Sequence, residues 1–155
     1  MIGRFLRRDP WLSAKLTYAM VSASFARDAA ACRACFLSAD APPELVEAVR
    51  AAIQADLSPL RLIDLADASK RVPLPPPSAR AATPAPALVM RGELDAIVDG
   101  EAAAELEGWL LSGETPCPSC SRVELQGLAH DVMLDARWPA AAHELEGWLE
   151  SISDN

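Results

Sequence analysis

The sequence predicts an α/β protein: a helical first part, then a strand–helix–strand–helix unit with parallel strands. Three observations carry that prediction. Up to residue 72 the apolar residues recur at helical spacing, and no convincing strand is present. Residues 72–86, VPLPPPSARAATPAP, hold six prolines and cannot continue a helix. Beyond them, two compact apolar runs, ALVM (87–90) and VELQ (123–126), alternate with two amphipathic segments. Such alternation implies parallel strands joined by a right-handed crossover. The chain therefore divides into a helical region, 1–72, a connector, 73–86, and a βαβα unit, 87–155.

Each element has a local cause. Asp9 followed by Pro10 is an N-cap with proline at the first helical position, and Trp11, Leu12, Leu16, Ala19 and Met20 follow at helical spacing. A short helix is expected over 28–36. Asp40 ahead of Pro42 and Pro43 starts another, with Leu45, Val46, Val49 and Ile53 as its apolar stripe, and Ser58-Pro59 opens one more, with Leu60, Ile63 and Leu65 inward. In the second part Asp99 precedes Gly100 as an N-cap for EAAAELEGWLL, and ARWPAAAHELEGWLESI closes the chain as a helix. The hexamer ELEGWL occurs twice, at 105–110 and 144–149. Both copies are expected to pack Leu and Trp on a sheet and to expose Glu, and on a sheet of only two strands those Leu and Trp residues are expected to be partly uncovered.

Composition narrows the function. Apolar residues make up 51% of the 155, enough for a core. A net charge of −8 excludes general nucleic-acid binding, which needs clustered cations. No apolar run reaches the 18 or so residues that a membrane span requires. Charge is uneven: residues 1–40 carry six basic and three acidic side chains, residues 92–155 two basic and fourteen acidic. The first 27 residues are Arg-rich and nearly free of acid, the composition of an organelle transit peptide, although an amphipathic helix accounts for them better. Without an apolar h-region, a cytoplasmic or organellar location is expected rather than secretion. Cys32, Cys35, Cys117 and Cys120 form two CxxC pairs, separated by 81 residues. They leave open a zinc site, a redox pair, or small apolar side chains filling alanine-like positions.

In open parallel sheets reactive groups gather beyond the carboxyl ends of the strands. Asp95, in MRGELDAIVD, and His130, in LQGLAHDVM, occupy those places. Strands about 4.8 Å apart let their loops meet, and a carboxylate bonded to an imidazole would leave the other ring nitrogen as general base. The plain alternative is that Asp95 is a turn former and His130 an ordinary loop residue. Asp131 is read as a loop or surface carboxylate, Asp135 as a cap for the final segment, and His143 as a solvent-facing helical residue. Met20, Met90 and Met133 are read as packing residues.

The stretches ALVMRGELDAIVD and VELQGLAHDVMLDARW, with the closing amphipathic helix, resemble the C-terminal end of the α/β-hydrolase superfamily, over residues 84–152. Members commonly show a strand followed by Gly-Glu-x-Asp, and a last strand ending in Gly-x-x-His. By that resemblance Asp95 matches the triad acid and His130 the triad base, and residues 1–72 look like the helical cap inserted before the acid-bearing strand. The resemblance implies a small-molecule ester or lipid substrate, an acyl-enzyme mechanism on a serine and no cofactor. Met133, Trp11, Leu12 and Leu16 would line an apolar acyl pocket.

The family's nucleophile sits in a G-x-S-x-G elbow ahead of the acid. The seven glycines lie at 3, 92, 100, 108, 113, 127 and 147, none of them between 4 and 91. Ser22 and Ser24, in MVSASFA, fall in sequence read as helical with no turn around them. The expectation is a partial α/β-hydrolase fold that carries acid and base without the nucleophile and is inactive alone. The missing part would be upstream sequence or a separate N-terminal half, or the chain would be a truncated product that self-associates. Rival functions are a non-catalytic interaction module derived from such a hydrolase, and a small zinc protein.

Overall fold

A computed structural model describes residues 9–55, 85–112 and 116–153. The helix expected at Ser58 and most of the proline-rich connector lie outside those residues. The described chain is mixed α/β: three helices and a short 3-10 turn, then a two-stranded parallel sheet with two helices.

Helix α1, Pro10–Ser22, starts where the Asp9 carboxylate accepts from the Leu12 amide at 2.9 Å. It ends at Ala23, which takes a left-handed φ of 52° and donates its N–H back to the last turn. Residues Ser24–Ala26 form the 3-10 turn. Helix α2, Ala29–Phe36, is capped by Asp28, whose carboxylate accepts from Ala31 N at 2.7 Å. Helix α3, Pro43–Ala55, buries Val46 and Val49 against Cys32, Leu37 and Ala41. A second cluster joins Leu16, Ala19 and Cys35 with the partly buried Phe25, Phe36 and Ala96. Ala96 comes from the loop after the first strand, so the helical part and the sheet part share apolar packing.

Strand β1, Ala87–Gly92, pairs in parallel with β2, Cys120–Leu125, in the register Ala87 with Cys120 through Gly92 with Leu125. Both strands differ from the expected 87–90 and 123–126. The ladder continues along β1 to Gly92, and on β2 it begins at Cys120, next to the bond from Ala87 N to Ser119 O at 3.0 Å. Gln126 falls in the following turn. Helix α4, Gly100–Leu110, crosses between the strands and is capped by Asp99, which accepts from Ala102 N at 2.7 Å. Helix α5, Trp138–Ser153, follows β2 and packs Ala141 on Leu125 and Leu128. Arg91 pairs with Glu124 across the strands, and Arg122 with Glu107 of α4 at 2.7 Å.

The repeated hexamer leaves its large apolar residues partly uncovered, as expected. Ala103 and Ala141 are the residues that α4 and α5 bury. The repeat leucines stay largely outside: Leu106 is 41% exposed, Leu145 39% and Leu149 45%. Trp109 and Trp148 are half-buried. Two strands present too narrow a surface for two full apolar helix faces, so the small side chains make the close approach and the large ones overhang. Among the described residues neither strand has a second neighbour.

Candidate active site

Two glycines let the loops at the carboxyl end of the sheet come together. A Cβ at Gly92, the last residue of β1, would collide with the carbonyl groups of Leu128 and Ala129. Only a residue without a side chain admits the second loop at that distance. Gly127, just past β2, has φ +72° in the left-handed region, and its open side is filled by the Arg137 guanidinium. The two loops are then stitched together. Glu93 N donates to Leu125 O and Leu94 N to Leu128 O, both at 2.9 Å, and the Glu93 carboxylate accepts from Gly127 N at 2.9 Å.

Asp95 and His130 meet at this tip. Asp95 Oδ2 lies 3.0 Å from His130 Nδ1, and Oδ1 accepts from the amides of Ile97 at 2.8 Å and Val98 at 2.9 Å. Asp95 is buried, 6% exposed, while the imidazole is about one-third open. Burial opposes ionisation of Asp95, but the hydrogen bonds from His130, Val98 and Ile97 outweigh it and hold the carboxyl below its ordinary value. The bond to Asp95 pushes the His130 pKa up against the opposing effect of burial, and the charges of Asp95 and Asp131 add to it. An ionised carboxylate only accepts, so the proton of this bond belongs to Nδ1 and Nε2 is the basic nitrogen of the neutral ring.

Residues 128–136 are held from the helical side. Asp135 is fully buried and accepts four hydrogen bonds. Oδ2 takes Ser38 N at 3.0 Å and Ala129 N at 2.8 Å; Oδ1 takes Ala136 N at 2.7 Å and the Ser38 hydroxyl. On the other side of His130, Asp131 N donates to Phe36 O at 2.9 Å. The Phe36 ring stands 6.2 Å from the imidazole and packs edge-on against Phe25 at 5.4 Å. Farther out, Asp40 Oδ1, 2.6 Å from Ser38 Oγ, shares the single hydroxyl proton with Asp135, and Asp40 accepts from Arg137 at 2.8 Å. Residues 36–38 thus grip both neighbours of the histidine. Asp135 does bond the Ala136 amide at the entry to α5, yet its larger role, joining residues 97 apart, has no sequence signal beyond its place five residues after His130.

Other expectations need correction. Met133 is 66% exposed and does not pack, because it sits on the outward side of the turn from Asp131 to Asp135. Leu16 is 4% exposed and, with Ala19, Ala31 and Cys35, lines a cavity of the helical part whose wall does not include His130, while Trp11 points largely into solvent. A turn does separate Ser22 from Ser24, at Ala23; the Ser22 hydroxyl donates to Tyr18 O at 2.6 Å. Of the two readings of Asp131, the loop carboxylate is the one that fits: it is half-buried, and burial raises its pKa against the pull of His130. His143 is exposed on α5, as expected, and Met20 and Met90 pack against cores.

The four cysteines are free thiols. Cys32 and Cys35 lie in different apolar clusters. Burial pushes both thiols up, Cys35 to about 11, which opposes the thiolate needed for metal or redox chemistry. Among the described residues no group of three or more His, Cys, Asp or Glu is placed to hold a metal ion, and no helix is long and apolar enough to cross a membrane.

The Nε2 of His130 has no hydrogen-bond partner among the described residues. The site therefore holds an oriented base and the carboxylate behind it. No protein-family model matches the sequence, and no curated protein or solved structure matches it at a significant level.

Proposed function

We propose that Asp95 and His130 are the acid and base of a serine-hydrolase triad of the α/β-hydrolase type, acting on carboxylic or lipid esters. The nucleophile comes from outside the described residues. One observation carries the proposal: a buried carboxylate, fixed by two backbone amides, bonded to the imidazole at the carboxyl end of a parallel sheet. Asp95 holds the tautomer with hydrogen on Nδ1 and stabilises the imidazolium. Nε2 takes the proton of the attacking hydroxyl, returns it to the leaving alcohol, and repeats the transfer with the deacylating water. The apolar Phe36 beside the imidazole, with Phe25 packed against it, favours an apolar acyl group.

The test is hydrolysis of p-nitrophenyl esters of several chain lengths by the native protein, captured from its source through the C-terminal helix. Wild-type activity should fall by roughly three orders of magnitude or more in His130→Ala, as removal of a triad member does. Hydrolysis that survives His130→Ala would remove this histidine from the mechanism.

A second proposal, a non-catalytic docking module, is favoured by the leucines exposed along α4 and α5. It predicts that Leu145→Glu abolishes partner binding or self-association in a sizing experiment while ester hydrolysis is absent from the start.

A further inference from the structure

The helical part supplies more than a cover to the proposed site. We propose that Asp135 is a positioning residue for His130, and that Ser38 is its anchor in the helical part. The catalytic significance of that role rests on the triad proposal above, whereas the positioning itself is a property of the structure alone.

His130 lies in the short loop from Leu128 to Val132, between β2 and the turn into α5. Such a loop does not by itself fix an imidazole to the tolerance a hydrogen bond requires. Ala129, immediately before the histidine, is held by one bond from its amide to Asp135 Oδ2. That same oxygen accepts from Ser38 N, and the other accepts the Ser38 hydroxyl, so the Ala129 amide is tied through one carboxylate to the end of α2. Immediately after the histidine, Asp131 N is bonded to Phe36 O, two residues before Ser38. The backbone on either side of His130 is therefore referenced to Phe36 and Ser38, while the side chain is referenced to Asp95.

Four donors converge on two oxygens with no solvent access. A carboxylate is the side chain that accepts all four; an amide of the same shape turns an NH2 toward two of them. A purely space-filling role would tolerate Asp135→Asn and would need no hydroxyl on Ser38. Only a role in fixing the loop makes the histidine sensitive to both.

The experiment is an NMR titration of the two histidines in the full chain with labelled imidazole nitrogens, across neutral pH. In the wild type the Nδ1 proton should appear at low field, protected from exchange, and His130 should titrate above 6.5. In Asp135→Ala the protected signal should vanish and the midpoint fall toward 6.5. Asp135→Asn should recover part of both, and Ser38→Ala should show the same shift in smaller degree. If Asp135→Ala does not fold, the Asp135→Asn and Ser38→Ala variants decide. Val49→Ala, a core lesion in the same helical part away from the loop, should leave both signals in place. Unchanged His130 signals in folded Asp135→Asn and Ser38→Ala would overturn the positioning role. A wild-type His130 without the protected proton would overturn the Asp95 pair itself, and a signal lost equally in Val49→Ala would reduce Asp135 to general stability.

Discussion

The tip of the sheet and its flanks are built to opposite standards. At the tip, the loops that follow β1 and β2 are cross-bonded through backbone and side chains, and Asp135 takes four donors with no exposed surface. Along the flanks, α4 and α5 approach the strands through Ala103 and Ala141 and leave Leu106, Leu145 and Leu149 about two-fifths exposed. The difference teaches that the geometry of the Asp95–His130 pair rests on its own loops and on residues 36–38. It does not depend on the faces that remain open.

The sharpest way to break that contrast is Asp135→Ala. Removing a fully buried carboxylate orphans several donors, and the chain should lose roughly 3–5 kcal/mol, as when a buried charge network loses one partner. Urea unfolding measures it; a loss under about 1 kcal/mol would show that the tip is no more cooperative than the flanks.

Glycine substitutions sharpen it next, because they should have opposite signs. Gly92→Ala drives a methyl group into the Leu128 and Ala129 carbonyls and should cost about 2–3 kcal/mol, the range of overpacked sites. A Cβ at Gly108, in α4, would meet none of the described residues beyond its own helix. Gly108→Ala should stabilise by about 0.5–1 kcal/mol through helix propensity. Equal effects at the two positions would contradict the account.

The pair also gives the tip a pH signature. The folded value of Asp95 is depressed, so its contribution is complete above the ordinary 3.8 and is lost as pH falls through the lower folded value. The folded value of His130 is raised, so its contribution is complete below 6.5 and is lost as pH rises through the higher folded value. The stability difference between wild type and Asp95→Asn should therefore be greatest between those two ordinary values and shrink on either side. The proposed catalysis would run the other way, since a general base must be neutral: its acid limb should lie above 6.5. A stability difference that is flat with pH would mean the pair does not form in solution.

The smallest effect belongs to the flanks. Leu149→Gln should cost less than about 1 kcal/mol, because the side chain already keeps much of its surface in water. Its clearer consequence should be reduced self-association by light scattering.

Much of the fold was legible because its causes are local. Asp9, Asp28 and Asp99 each cap the helix that follows, and the caps at Asp9 and Asp99 were visible as short polar-to-apolar transitions. The parallel pair followed from the alternation of apolar runs, but the strand ends did not, since Cys120 joins β2 only through pairing with Ala87. The positions of Asp95 and His130 were readable from strand ends. Their distance was not, because it depends on Gly92 admitting the second loop. The link from Asp135 to Ser38 spans 97 residues and leaves no periodic trace in one sequence. The partial exposure of the ELEGWL leucines was readable from the count of strands, but its extent was not: an amphipathic pattern says which face is apolar, and only the width of the sheet decides how much of it is covered.

The central claim is that this aspartate and histidine activate a serine. The most direct measurement is fluorophosphonate labelling of the native protein, with identification of the modified peptide, in wild type and in His130→Ala. The account predicts a single labelled serine, on a polypeptide that contains or binds this chain, and loss of that label with His130. No labelled serine, or one whose labelling is indifferent to His130→Ala, would contradict it.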